Sequence, residues 1–173
     1  MKTTVVAVIG CGEFARAFVP LFQNHPTVKK VYVCDLIREK AEMYSEKFSV
    51  DIIDSFEDAI NSKEITAVAV FTQRHTHGEL VCKALLAGKD VYSAVPMAVT
   101  VEDCKKIIDA VKVSGKTYMM GETCIYYPSA MYCEKKQKQG AFGRYHRFSG
   151  NSDLFFPQES ILAVSKDLPA AVG

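Results

Sequence analysis

The sequence predicts a doubly wound α/β fold, in which a parallel sheet lies between two layers of helices. Three observations predict it. A glycine-rich turn separates an apolar strand from an amphipathic helix, strand and helix patterns then alternate, and the central strands are apolar throughout. We expect this three-layer α/β/α domain over residues 1–123. Residues 124–173 should contain only the start of a second α/β domain.

The glycine-rich turn is the strongest local signal. Residues 5–9 are apolar and mostly β-branched, residues 10–15 match G-x-G-x-x-A, and a helical apolar pattern follows at once. Gly10 permits the tight turn, Gly12 lets the backbone approach a pyrophosphate, and the small Ala15 lets the helix pack on the strand. This context predicts a dinucleotide site of the Rossmann type. The alternative is a glycine turn in a nucleotide-free α/β protein.

The first half of the domain alternates strands with helices. We predict strands at 3–9, 31–34 and 50–53, and helices at 12–24 and 38–48. Pro20 falls inside the first helix and lacks the N–H that would bond to Arg16, so a kink is expected there.

The second half of the domain continues this alternation. We predict strands at 67–71, 91–93 and 117–120. Three helices are expected to begin at capping boxes that start at Ser55, Thr76 and Thr100. Gly88 and Gly115 should end two of these helices. The predicted sheet is thus parallel and complete near residue 123.

Residues 124–173 have a different pattern. Pro128 suits the first turn of a helix that runs to about Gln139, and residues 144–148 suit a strand. The apolar pattern is lost after about residue 150. A strand without its sheet has an unpaired edge, so we expect either disorder after residue 150 or a homo-oligomer formed through this segment.

The carboxyl ends of the strands should carry the ligand site, as in other doubly wound sheets. Asp35 ends the second strand and can accept hydrogen bonds from both ribose hydroxyls, while it would repel a 2′-phosphate. This favours NAD over NADP. Arg38 leaves NADP open because a guanidinium binds phosphate, and Asp35 can also be a simple turn or cap residue. The residues predicted to contact the cofactor are Gly10, Cys11, Gly12, Glu13, Phe14, Asp35, Leu36, Arg38, Thr72, Gln73, His77, Ala94 and Val95.

The other strand ends offer no nucleophile and base at a recognisable spacing. His75-x-His77 suits a metal site only if a third ligand lies nearby, and the sequence shows none. A loop histidine beside the cofactor is therefore favoured. Residues 93–96 have no ionisable side chain. We predict neither a metal site nor a catalytic residue from these loops.

Composition excludes several classes of protein. The net charge of +1 gives no electrostatic case for nucleic acid or membrane binding. No apolar run reaches the ~18 residues of a membrane span, and Gly10 and Glu13 interrupt any signal-peptide core. The six cysteines form no C-x-x-C pair. They indicate reduced thiols in a cytoplasmic protein, whose expected partner is a small-molecule nucleotide.

Four segments together resemble the Gfo/Idh/MocA family of oxidoreductases. Besides 10–15, residues 72–77 resemble T-P-N-x-x-H, residues 88–96 resemble G-K-H-V-x-x-E-K-P, and residues 121–128 resemble G-F-N-x-R-F-x-P. The resemblance covers about residues 3–148. It implies a nicotinamide-dependent enzyme that acts on sugars, polyols or related hydroxy compounds. It also implies a C-terminal α/β domain that supplies most of the substrate pocket and often the dimer interface.

The chain departs from the family pattern where the chemistry would lie. Val95 stands at the E-K-P lysine, which in the family serves as acid/base or substrate-binding group, and Ala94 stands at the glutamate. Gln73, Arg74 and Ile125 replace the Pro, Asn and Arg of two other segments. Family chains are considerably longer, so we expect most of the C-terminal domain to be missing here.

Three functions are compatible with these patterns. The favoured one is the NAD-binding part of a Gfo/Idh/MocA oxidoreductase with little or no turnover of its own. The second is a non-catalytic nucleotide-binding or sensor module, which Val95 favours. The third is an S-adenosylmethionine methyltransferase, which residues 88–96 and 121–128 disfavour.

Overall fold

Six strands form one parallel sheet in the computed structural model of this chain, which describes residues 3–141. The strands are β1 (Thr4–Ile9), β2 (Val28–Cys34), β3 (Asp51–Ile52), β4 (Ala67–Val70), β5 (Asp90–Ala94) and β6 (Tyr118–Gly121). Their order is β3-β2-β1-β4-β5-β6, and every neighbouring pair is parallel. The direction of winding therefore reverses between β1 and β4, where a doubly wound sheet opens a crevice for ligands.

Helices cover both faces of the sheet. They are α1 (Ala15–Gln23), α2 (Arg38–Phe48), α3 (Phe56–Asn61), α4 (His77–Leu86) and α5 (Val101–Ser114). One core contains Val5, Ala7 and Ile9 of β1 together with buried residues of α3, α4 and α5. The other contains Val6 and Val8 with buried residues of α1 and α2. The predicted three-layer α/β/α Rossmann fold is confirmed.

Two of the three predicted capping boxes are confirmed. The Ser55 hydroxyl accepts a hydrogen bond from the Asp58 N–H at 3.0 Å, and the Thr100 hydroxyl accepts one from the Asp103 N–H at 3.0 Å. The prediction for Thr76 is wrong. Its hydroxyl donates to the Gln73 carbonyl at 2.7 Å instead, because a 3₁₀ turn at 74–76 precedes α4 and places that carbonyl within reach.

Two element boundaries differ from the prediction by three residues, and the other strand boundaries differ by at most one. Helix α1 begins at Ala15 rather than at residue 12, because residues 12–14 form a turn closed by the Arg16 N–H and the Gly12 carbonyl. Strand β2 begins at Val28, three residues earlier than predicted, because pairing with Thr4 of β1 outweighs the charge of the next two lysines. Pro20 does lie within α1, and the kink stays a prediction.

The chain divides into two units after Glu122. In the second unit, a 3₁₀ turn at 124–126 precedes α6 (Pro128–Lys138), with Pro128 in the first helical turn as predicted. The predicted strand at 144–148 and the tail beyond residue 150 lie outside the described residues. Within residues 3–141, no helix has the length and apolar character needed to span a membrane.

Candidate functional site

Gly10 lies where the carboxyl ends of β1 and β4 come closest. Its φ is +97°, and a Cβ there would lie 2.8 Å from the carbonyl oxygen of Phe71. Its N–H donates to the Cys34 carbonyl at 2.8 Å. Any other residue would be strained and would push against backbone, so Gly10 is required by the turn itself.

Gly12 has a different reason to be glycine. Apart from residues 11–13 themselves, no atom of the described chain would lie within 4 Å of a Cβ at this position, and its φ is not in the left-handed region. The space beside Gly12 is therefore open, and it adjoins the N-terminus of α1. Free N–H groups at a helix N-terminus bind phosphate. The turn thus leaves room for a pyrophosphate at Gly12.

Asp35 fastens the glycine turn to the end of β2. Its Oδ2 accepts a hydrogen bond from the Cys11 N–H at 2.7 Å, and its Oδ1 accepts one from the Ile37 N–H at 2.9 Å. Each carboxylate oxygen has two lone pairs, so both oxygens can accept a further bond from a ribose hydroxyl. The predicted ribose ligand and the alternative turn residue are therefore compatible roles of one side chain.

Tyr44 is a residue of this site that sequence reasoning missed. From α2, its hydroxyl donates to the Gly12 carbonyl at 2.5 Å. Burial raises the pKa of Tyr44 to about 12, and Cys11 adds to the shift, so the hydroxyl keeps its proton at neutral pH. The available signal was the spacing of Ala41 and Tyr44, which places both on the buried side of α2.

Two buried thiols lie beneath the turn. Burial, with a smaller effect of the Asp35 carboxylate, raises the pKa of Cys11 to about 12 and that of Cys34 to about 11. Both stay protonated at neutral pH and add no negative charge where a phosphate would approach. Neither thiol is therefore a nucleophile under these conditions.

These thiols predict a loss of stability in alkaline solution. Because their folded-state pKa values are raised above the ordinary 9.0, the unfolded chain binds fewer protons above pH 9. Stability that is complete below pH 9 should then fall by about 1.4 kcal/mol per pH unit for each thiol. Urea midpoints measured in reductant from pH 8 to 11 test this. Cys34→Ala should reduce the fall of the urea midpoint with pH. The control Cys124→Ala, at an exposed cysteine, should leave that pH dependence unchanged.

Arg38 is held by two carboxylates. It forms ion pairs with Glu42 at 3.1 Å and with Asp54 at 2.7 Å. These hydrogen bonds raise its pKa, and the guanidinium is aimed at carboxylates rather than left open for a phosphate. Leu36, the other predicted residue of this loop, is fully exposed.

An exposed aromatic ring lies beside the glycine turn. Phe14 is 42% exposed, and its ring centroid lies 5.0 Å from that of Phe18 and 5.9 Å from that of Phe71. Phe71 follows β4 and was not among the predicted site residues. Glu13 is exposed and forms an ion pair with Arg16 at 3.4 Å. Phe14 therefore offers a fixed apolar surface at the mouth of the crevice.

The loops after β4 and β5 form the other side of the crevice. Gln73 is exposed and Thr72 partly so, while Ala94 is buried and Val95 is 39% exposed. His77 is different, because only 1% of it is exposed. Its ring nitrogens lie 2.8 Å from the Pro96 carbonyl oxygen and 3.1 Å from the Thr72 carbonyl oxygen. The structure thus places His77 beneath these loops rather than at their surface.

The described residues do not bring together a metal site. Within residues 3–141, no group of three or more His, Cys, Asp or Glu side chains has a geometry that could hold a metal ion. His75 is exposed, and both nitrogens of His77 face backbone carbonyls. The cofactor that this edge suits is instead a dinucleotide, because the space at Gly12 and the acceptors of Asp35 match a pyrophosphate and a ribose.

Comparison with known proteins agrees with this geometry. Residues 4–122 match a family model described as the GFO_IDH_MocA oxidoreductase family, NAD-binding Rossmann fold. Inositol 2-dehydrogenase of Salmonella typhimurium is 32% identical over 117 residues, which are 66% of this chain and 35% of that protein. An oxidoreductase of Streptococcus pneumoniae is 26% identical over 136 residues, which are 79% of this chain and 36% of that protein.

A solved structure agrees as well. The crystal structure of an NAD-binding protein from Listeria innocua superposes with a TM-score of 0.78 and 26% identity, over 84% of this chain and 43% of that one. The chain therefore spans about a third of the length of the curated relatives and less than half of this structural neighbour.

Proposed function

This chain belongs to the Gfo/Idh/MocA oxidoreductase family, and from that premise we propose that Gly12, Asp35 and the loops after β4 and β5 hold NAD across the switch point of the sheet. Residues 4–122 are the NAD-binding Rossmann domain of such an oxidoreductase. The observation that carries the proposal is the open space at Gly12 beside the Cys11–Asp35 hydrogen bond. When bound, NAD supplies a hydride acceptor at its nicotinamide ring.

The role of each residue follows from its position along the edge of the sheet where the carboxyl ends of the strands lie. Gly12 and the N-terminus of α1 contact the pyrophosphate, and Asp35 accepts hydrogen bonds from the adenine-side ribose. The nicotinamide half then extends to the opposite side of the switch point, over Thr72, Gln73 and Val95. Phe14 lies between the two halves. Gly10, Cys11 and Ala94 shape the turn and the crevice from within.

NAD is favoured over NADP for two reasons. The Asp35 carboxylate would lie beside a 2′-phosphate and repel it. Arg38, the cation that could offset this repulsion, is paired with Glu42 and Asp54. The discrimination therefore depends on the Asp35 carboxylate and on the two carboxylates that pair with Arg38.

Two variants are expected to shift this preference in separable ways. Asp35→Ala should reduce the ratio of NAD to NADP affinity by roughly tenfold, because it removes an acceptor for ribose and a negative charge. Asp54→Asn should raise NADP affinity about threefold and leave NAD affinity unchanged, because it frees Arg38 from an exposed ion pair. Calorimetric titration of both cofactors measures these ratios. A wild-type chain that binds NADP more tightly than NAD would contradict the assignment of Asp35.

The proposal itself is tested by titrating the wild-type chain with NAD and with S-adenosylmethionine. Saturable binding of NAD alone supports it. Binding of S-adenosylmethionine in place of NAD would favour the methyltransferase alternative. The non-catalytic alternative is separated by a turnover screen on sugars and polyols, because a sensor module binds NAD without consuming it.

The relatives suggest the reaction class of the whole protein. One of them is named an inositol 2-dehydrogenase, so we propose hydride transfer on a sugar, polyol or related hydroxy compound. We further propose that residues 124–173 begin the second α/β domain of this family and can support a homo-oligomer. A cytoplasmic location fits the free cysteines of the described residues, and the net charge of +1 favours no nucleic-acid partner.

A further inference from the structure

His77 connects two loops that are adjacent in space but distant in sequence. It is the first residue of α4, and its ring fills the space between the loop after β4 and the loop after β5. One nitrogen, Nε2, lies 3.1 Å from the Thr72 carbonyl oxygen. The other, Nδ1, lies 2.8 Å from the Pro96 carbonyl oxygen. Both partners are backbone acceptors, so each contact is a hydrogen bond when that nitrogen carries a proton.

This geometry leaves His77 no free atom with which to contact a ligand. Only 1% of the residue is exposed, and each ring nitrogen already faces a carbonyl. The same carbonyls belong to residues beside Gln73 and Val95, two of the residues proposed to contact the cofactor. The ring lies between both carbonyls and donates to one of them as a neutral imidazole, or to both as an imidazolium, and so sets the separation of the two loops.

We propose that His77 is a positioning residue, which sets the spacing of the β4 and β5 loops for the nicotinamide half of the cofactor and does not contact it. The inference rests on the proposed NAD site and deepens it. It also replaces the expectation that His77 contacts the cofactor directly. Removal of the ring nitrogens should let Thr72 and Pro96 move independently, because no hydrogen-bond donor would then lie between the two carbonyls.

The effect should be confined to one end of the dinucleotide. The pyrophosphate and the adenine-side ribose depend on Gly12 and Asp35, which are held by hydrogen bonds from Tyr44 of α2 and from the Cys11 N–H of the turn. His77 makes none of those bonds. NAD and ADP-ribose therefore form a matched pair of probes, because they differ only in the nicotinamide group.

The test measures NAD and ADP-ribose affinities of the wild-type chain and of His77→Phe, which keeps a ring of similar size without donors. We expect NAD affinity to fall roughly tenfold and ADP-ribose affinity to stay unchanged. His77→Gln retains an N–H donor that can reach one carbonyl, so its NAD affinity should lie between that of the wild-type chain and that of His77→Phe. It also serves as the test variant if His77→Phe does not fold.

Leu85→Ala is the control for general destabilisation. Leu85 is fully buried near the opposite end of α4, so its loss should lower the melting temperature without changing either affinity. Equal losses of NAD and ADP-ribose affinity in the His77 variants, or no loss of either, would overturn the positioning role. A wild-type chain that binds neither probe would instead overturn the proposed function.

Discussion

Replacing Gly12 with valine is expected to weaken NAD binding by roughly 100-fold or more while the fold is retained. The branched side chain would occupy the open space beside the N-terminus of α1, where no atom of the described chain apart from residues 11–13 would lie within 4 Å of a Cβ. The pyrophosphate would then be held away from the backbone N–H groups. Each hydrogen bond to a charged group contributes ~1.5–3 kcal/mol, so loss of two explains an effect of this size.

This loss can be distinguished from unfolding. Circular dichroism and thermal melting should be close to those of the wild-type chain, because a Cβ at residue 12 would clash with no other part of the described chain. Ala17→Val is the matched control, since it places the same side chain on an exposed face of α1. It should leave NAD affinity unchanged. Retained NAD affinity in a folded Gly12→Val variant would show that the nucleotide binds elsewhere.

No dehydrogenase turnover is expected from purified residues 1–173 on sugars or polyols, and Val95→Lys alone should not restore it. Hydride transfer at a carbinol carbon needs a group that takes the hydroxyl proton, and a positioned acid or base contributes roughly 10²–10⁴-fold. The resemblance of residues 88–96 to the family segment implies that Val95 stands at the position of that group, and a valine cannot exchange a proton. Orientation of the substrate contributes a further ~7–11 kcal/mol at best. We expect residues 1–173 to lack this contribution too, because the resemblance assigns most of the substrate pocket to a C-terminal domain of which they should contain only the start.

Neighbouring side chains do not replace the missing group. Both nitrogens of His77 face carbonyls. Lys89 precedes β5 at its amino end, where its Nζ donates to the carbonyls of Ser62 at 2.6 Å and Ile65 at 2.7 Å. Burial also lowers the pKa of Lys89. This lysine is therefore tied to the edge of the sheet opposite the cofactor.

NADH formation followed at 340 nm across a panel of polyols is the measurement for this prediction. Wild-type and Val95→Lys chains should both bind NAD and both remain at the background rate. Saturable NADH production by the wild-type chain would contradict the prediction. It would also reveal an acid or base other than Val95, His77 and Lys89.

The sequence predicted the sheet, and the glycine turn after β1, because both depend on local patterns. Apolar strands, helical spacing and G-x-G-x-x-A are recognisable within short windows. The motif assigned different roles to Gly10 and Gly12, but a short window does not contain the distant atoms that enforce the difference. Gly10 is required because a Cβ there would lie 2.8 Å from the Phe71 carbonyl oxygen, in the backbone that follows β4. At Gly12 a Cβ would meet open space, and that space is what a ligand would need. That difference depends on a neighbour about 60 residues away in the sequence.

The hydrogen bonds of polar side chains were harder to predict, because they too depend on neighbours that the local pattern does not show. The acidic residue at the end of β2 was expected to meet a ribose, but its bond to the Cys11 N–H spans 24 residues and has no local signature. Tyr44 has the pattern of a core residue of α2, and nothing nearby in the sequence indicates that its hydroxyl reaches Gly12. Thr76 matched a capping box, yet the 3₁₀ turn before it supplied a closer acceptor.

The three bonds that hold the glycine turn determine when its conformational entropy is lost. The Cys34 carbonyl, the Asp35 carboxylate and the Tyr44 hydroxyl each restrain one peptide unit of the turn before any ligand arrives. The ordering of this segment thus accompanies folding, and association with the dinucleotide does not have to supply it. A preorganised turn of this kind converts more of its contact energy into affinity than a loop that must close around its ligand.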